Sequence, residues 1–323
     1  MKTMTYMEAI REAMRIKMKE NENVLIFGED VGAFGGCFGL TAGLFDEFGK
    51  KRVRDTPISE GAIIGCAIGS AATGLRPIAE IMMGDFVTVA MDMLVNQAAK
   101  LRYMSGGKIS LPMVVRLPGG GGMSAAAQHS QSLEAWLTHV PGLKVVYPST
   151  PADAAGLMLT AIDDDNPVAF MEHKGIYGLK GEVPDEIKPI PFGVADIKKE
   201  GKDITIIATG KMVHEALKAA KQLSKEGIEA EVVDPRTLYP LDKETIFNSV
   251  KKTSKVLVVT EEVKRGGYGG EISAMISEEI FDYLNAPIVR IGALNTPIAF
   301  SPCLENFILP NSDDIVTGVK KLF

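Results

Sequence analysis

Two stretches of the chain concentrate residue types that can move protons. The first is Asp55-Thr56-Pro57-Ile58-Ser59-Glu60-Gly61, in which Glu60 ends a strand-like run and opens a helix-like run of small residues. Glycines at 61, 65 and 69 share one helix face and permit close backbone approach. A carboxyl group at the mouth of so dry an element is drawn out of water while facing a helix N-terminus, a setting for proton handling. The same placement suits an acidic helix cap worth about 1 kcal/mol. The residues alone leave both readings open.

The second stretch is Pro118-Gly119-Gly120-Gly121-Gly122, followed by Ala125 to Ser132 with His129 at its centre. Four glycines disfavour regular structure, and the loop follows a strand, where open α/β sheets bind ligands. Small and amide neighbours suit a presented imidazole, able to donate and accept protons near neutrality, better than a core one. His139, beside Val140 and Pro141, reads as structural, and His214 opens a surface-like helix. A third feature is a helix over about Phe86 to Met104, apolar on a broad face yet interrupted by Asp92, Asn96 and Gln97. Those polar groups imply either subunit contact or an exposed stripe.

Other chemistries lack their residues. The Gly-Lys pairs at 49, 107, 201 and 210 are not followed by Ser or Thr, so no P-loop is present. Four scattered histidines define no metal cluster, and Asp163-Asp164-Asp165-Asn166 lacks the glycine turn and terminal glutamate of a calcium loop. Dinucleotide binding fails on glycine spacing after Ala208 and again around Gly267.

The chain has 323 residues, enough for two domains, with 46% hydrophobic and 24% charged residues. A net charge of −6 argues against a general nucleic-acid or anionic-membrane binder. Three widely spaced cysteines, Cys37, Cys66 and Cys303, fit a reducing compartment. The longest uncharged stretch, Gly61 to Leu75, falls short of the roughly twenty residues a membrane span needs. Charges through the N-terminus exclude a signal peptide; Thr5 and Glu8 have capping-box spacing, and Met7, Ile10, Met14 and Met18 form one stripe. A cytoplasmic location is expected.

Strands and helices alternate along most of the chain, which predicts α/β domains built on open parallel sheets with helices on both faces. A Pro/Gly-rich break over 178–202 places the boundary near 190, giving domains 1–190 and 191–323.

These residues resemble a known family. Asp55 to Gly61, Gln97 to Gly107, Ala127 to Gln131 and Pro141 to Val146 are similar to the β-chain of thiamin-diphosphate-dependent 2-oxo acid dehydrogenases. That family includes the first components for pyruvate, branched-chain 2-oxo acids and acetoin. The likeness covers essentially the whole chain, and Ser124 to Trp136 and Glu172 to Asp185 look most like the acetoin enzyme. It implies an N-terminal thiamin-diphosphate pyrimidine-binding domain and a C-terminal domain like that of transketolase. Glu60 matches the glutamate that hydrogen-bonds N1′ of the aminopyrimidine, and Phe86 the aromatic ring set against it. Val89 departs from the glutamine common in pyruvate-type chains. His129 matches the histidine that handles protons as the acyl group passes to a lipoyl arm.

The family's diphosphate anchor begins Gly-Asp-Gly, but Gly84-Asp85 is followed by Phe86. The resemblance therefore implies half a site, with an α-subunit holding Mg²⁺ and diphosphate in an α₂β₂ heterotetramer. A lipoyl-bearing dihydrolipoamide acyltransferase is the implied acceptor, docked near the C-terminal Phe323. The carbonyl of Met113, with Ala161, Ile162, Asp164 and Asn166, matches a structural potassium site of some members. The expected function is cleavage of acetoin or decarboxylation of a 2-oxo acid such as pyruvate, with acyl transfer to lipoamide. Two alternatives stand beside it. One is a nucleotide-binding electron-transfer or scaffold protein, supported by the repeated βα pattern and glycine-rich loops. The other is transketolase-like carbon transfer, which normally needs a longer chain.

Overall fold

Short runs of aliphatic residues, buried on both faces, build the sheets, and amphipathic helices cover them. The computed structural model describes residues 1–323 and divides into two units. One contains residues 1–119 and 136–192; the other contains 120–135 and 193–323.

The first unit begins with β1 (Lys2–Thr5), α1 (Tyr6–Glu20), β2 (Val24–Gly28), α2 (Leu44–Phe48), β3 (Val53–Asp55), α3 (Glu60–Ala72) and β4 (Arg76–Glu80). It continues through α4 (Ala99–Met104), β5 (Val114–Gly119), α5 (Glu134–Thr138), which straddles the units, β6 (Lys144–Val146), α6 (Pro151–Asp163), β7 (Val168–His173) and β8 (Lys180–Val183). Six strands hydrogen-bond in the order β6-β7-β5-β4-β2-β3, every pair parallel. The capping box on α1 is present: Thr5 Oγ1 accepts the Glu8 N–H at 3.1 Å, and Glu8 accepts the Thr5 N–H at 2.8 Å. Ile10, Met14 and Met18 pack with Ala154, Leu157 and Met158 of α6, whereas Met7 is only half-buried. β1 and β8 form an antiparallel pair whose polar residues carry no strand pattern.

The helix expected over Phe86 to Met104 is three segments: a 3₁₀ stretch Gly84–Ala90, a π-helical stretch Asp92–Ala98, and α4. Three successive β-branched residues, Val87, Thr88 and Val89, disfavour a regular α-helical turn there. Val87, Ala90, Leu94 and Ala98 are buried, and Asp92, Asn96 and Gln97 are exposed on this chain.

The second unit has β9 (Asp196–Lys199), β10 (Ile204–Ala208), α7 (Met212–Ser224), β11 (Ala230–Asp234), β12 (Thr237–Tyr239), α8 (Lys243–Thr253), β13 (Val256–Val263), α9 (Tyr268–Ile280), β14 (Val289–Ala293), α10 (Pro302–Ile308) and α11 (Ser312–Lys320). Its sheet runs β14-β13-β10-β11-β9, parallel except that β9 is antiparallel to β11. The link over 200–203 is too short to carry the chain back along the sheet, so the edge strand must run the other way. No helix is long and apolar enough to cross a membrane.

Candidate active site

In the first unit, polar side chains gather at the C-terminal ends of β2, β3 and β4, where an open α/β sheet presents its ligand crevice. Glu60 is buried and is the first residue of α3. Ser59 holds the cap position without a side-chain hydrogen bond, so Glu60 is not the cap itself. Gly61 and Gly65 do not owe their presence to tight packing: a Cβ would lie 3.8 Å from Val89 O and from Met93 Sδ respectively, ordinary contact distances. α3 packs on the segment containing Phe86, which is half-buried, so Glu60 and Phe86 belong to one neighbourhood.

Sequence reasoning missed Glu29, which follows the last residue of β2. Burial pushes its carboxyl above the ordinary range, and the charges of Glu60, Asp30 and Glu80 push the same way. Its Oε1 is buried without a hydrogen-bond partner, as is Oγ1 of Thr56, whose N–H donates to Gly28 O at 2.9 Å. Orphaned polar atoms beside a buried carboxyl group fit a polar heteroaromatic ligand. The signal available in the sequence was position: an acid placed directly after an all-buried parallel strand.

Behind them lies a charged cluster with no surface access. Arg116 of β5 donates from Nε and Nη2 to Glu172 of β7 at 2.7 and 2.8 Å and pairs with Glu80 through Nη1. Tyr177 donates to Glu172 at 2.6 Å. Burial disfavours the guanidinium charge, yet Glu172 and Glu80 hold it above its ordinary pKa. Burial raises the Glu80 carboxyl, against the pull of Arg116.

The residues expected for potassium also lie in this unit. Ile162, in the last turn of α6, offers its carbonyl to Arg76 Nη1 at 2.9 Å. The Asp164 carboxylate accepts the Asn166 N–H at 2.8 Å and Nδ2 at 2.9 Å, and pairs with Lys144. Met113 O accepts the Val168 N–H at 2.9 Å, and Ala161 lies in the same helix turn as Ile162. No three His, Cys, Asp or Glu side chains gather to hold a metal, so a cation here would rest mainly on carbonyls.

His129 lies on the loop 120–135 of the second unit and is half-buried; its N–H donates to Ala126 O at 3.4 Å. Acids from the end of β13 fasten this loop. Glu261 accepts the Gly121 N–H at 2.7 Å, and Glu262 accepts the Ala135 N–H at 3.3 Å and the Tyr268 N–H. Burial pushes the Glu262 carboxyl up to about 7, against those N–H groups. Glu134 is fully buried and held well above the ordinary carboxyl range by burial and by the charges of Glu262 and Glu261. His139 is exposed.

Comparison with known proteins accords with this arrangement. Residues 2–180 match the family described as Transketolase, pyrimidine binding domain, and residues 193–315 match Transketolase, C-terminal domain. Acetoin:2,6-dichlorophenolindophenol oxidoreductase subunit beta of Bacillus subtilis (strain 168) is 50% identical, covering 98% of this chain and 96% of the relative. The 2-oxoisovalerate dehydrogenase subunit beta of the same organism is 48% identical over 100% of this chain and 99% of its own. Pyruvate dehydrogenase E1 component subunit beta of Rickettsia felis is 46% identical, covering 98% of each chain. Among solved structures, a split gene transketolase, an inactive beta4 tetramer, matches with a TM-score of 0.81 and 25% identity over 99% of this chain and 98% of its own. These relatives give no support to an electron-transfer or scaffold protein.

Proposed function

Because this chain belongs to the transketolase-type β-subunits of thiamin-diphosphate-dependent acetoin and 2-oxo acid dehydrogenases, we propose that Glu60 and His129 divide the proton handling of that reaction. The observation that carries the reading is a buried carboxyl at the head of α3 beside the orphaned Oε1 of Glu29. Thiamin diphosphate, when bound, would supply the nucleophilic carbon and the electron sink of the reaction. Glu60 holds a proton against the ring nitrogen of the aminopyrimidine. Burial raises the Glu29 carboxyl, and the charge of Glu60 acts in the same direction. Phe86, half-buried on the segment packed against α3, would offer the ring an apolar wall and exclude water there. His129 moves a proton as the acyl or hydroxyalkyl group passes to lipoamide.

The enzyme works as a complex with an α-subunit and a lipoyl acyltransferase. The missing second glycine after Gly84-Asp85 supports an α-subunit that holds Mg²⁺ and diphosphate, in an α₂β₂ assembly. Exposed apolar residues beside the head of α3, Ile58 and Val89, support a partner surface there. We also assign the carbonyls of Met113, Ala161 and Ile162, with Asp164 and Asn166, to potassium. Three free cysteines accord with a cytoplasmic location.

Glu60→Gln tests the central assignment. In the reconstituted complex it should lower turnover by about 10²- to 10⁴-fold, the range for a lost general acid–base group, with assembly intact by size-exclusion chromatography. Normal turnover would remove Glu60 from the chemistry. The β-chain alone should be inactive, and assays with acetoin, pyruvate and branched 2-oxo acids identify the substrate.

A further inference from the structure

Glu305, on α10, is 2% exposed although it is charged and lies in a seven-residue helix. Its two oxygens are directed to one place. Oε1 accepts the Gly122 N–H at 2.8 Å, and Oε2 accepts the Ser124 N–H at 2.8 Å and its hydroxyl at 3.4 Å. All three donors lie on the loop that carries His129. A carboxylate taken out of water needs such donors, and the backbone supplies two of them.

The loop needs the carboxylate in turn. Gly122 has φ +90°, and the non-glycine residues Ser124 and Ala126 have φ +54° and +63°. Left-handed backbone at Ser and Ala persists only where its surroundings hold it. Leu309, four residues beyond Glu305, fills the other side: a Cβ on Gly121 would come within 2.7 Å of its Cδ1. From this anchor the backbone runs through Ala126, whose carbonyl accepts the His129 N–H.

We propose that Glu305 is a positioning residue for His129, fixing the imidazole through two loop amides rather than touching the reacting atoms. This rests on reading His129 as the histidine of acyl transfer. Glu305→Gln keeps the volume but turns an NH₂ group toward backbone donors. In the reconstituted complex it should slow acylation of free lipoyl domain about ten- to a hundredfold, as small misplacements of a reacting group do. Its affinity for thiamin diphosphate should hold. Combined with His129→Ala it should add no further loss, because both changes disable one step. Additive losses, or equal loss of cofactor binding and transfer, would show a merely structural role and overturn the proposal.

Amide hydrogen exchange on the unmutated complex provides a reading that does not depend on the variant folding. The Gly122 and Ser124 amides should be protected, and exchange as fast as in a free peptide would overturn the anchor. If His129→Ala spares transfer, the assignment of His129 falls, while amide protection still decides whether Glu305 holds the loop.

Discussion

Replacing Arg116 by Met should expose how much the first unit depends on its buried charges. Arg116 has no surface exposure and makes two hydrogen bonds to Glu172 as well as its pairing with Glu80. Removing one partner of a buried ion pair typically costs about 3–5 kcal/mol, because the remaining charge is left unmatched. For a domain of this size each kcal/mol moves Tm by roughly 2–4 °C, so a fall on the order of 6–20 °C is expected near pH 8. The pH dependence has a definite sign. Burial already raises the Glu80 carboxyl, and without the guanidinium it rises further. A carboxyl whose folded pKa lies above its unfolded value stabilises at low pH and loses that contribution as pH rises through the folded pKa. The deficit of Arg116→Met should therefore be largest near pH 8 and shrink toward about pH 5. Adding Glu80→Gln and Glu172→Gln should restore much of the loss, since a neutral core of similar volume tolerates burial. Scanning calorimetry of the assembled complex at two scan rates measures each Tm. A variant within about 2 °C of the parent near pH 8 would refute the reasoning.

The Glu134–Glu262 pair predicts that stability of the second unit falls as pH rises from about 5 through about 7, by at most about 1.4 kcal/mol per pH unit for each proton involved. Glu134→Gln should flatten that fall, and equal slopes for the two proteins in thermal melts would count against it. Exchanging potassium for choline in the buffer should lower Tm, and Asp164→Ala should abolish the difference. A melt indifferent to potassium would remove the ion from the corner around Ile162.

The parallel sheets were legible because their strands carry continuous aliphatic runs, such as Ile204–Ala208. Glu60 and His129 stand out as candidates because each interrupts a local pattern, one between strand and helix, the other among glycines. Local periodicity has no access to pairings between distant residues. Lys2–Thr5 becomes a strand only by meeting Lys180–Val183. Arg116 reads as one charge in an apolar run until Glu80 and Glu172 are placed on either side. The carboxylates that hold the His129 loop lie far along the chain from it, and no spacing rule links Gly122 to Glu305. Glu29 is a different case: it directly follows an all-buried strand, a position signal that is weaker than the strand-to-helix junction at Glu60.

The loop 120–135 has an unusual ownership, being spelled within the first half of the polypeptide yet grouped with the second. A gene cut at the apparent linker near 190 would thus make two defective fragments. The upstream piece would carry an imidazole on a tether whose fasteners had been translated elsewhere, and the downstream piece would keep buried acids with nothing to grip. Shuffling of halves between relatives, in the laboratory or in evolution, should succeed only when this short insert travels with the distal half.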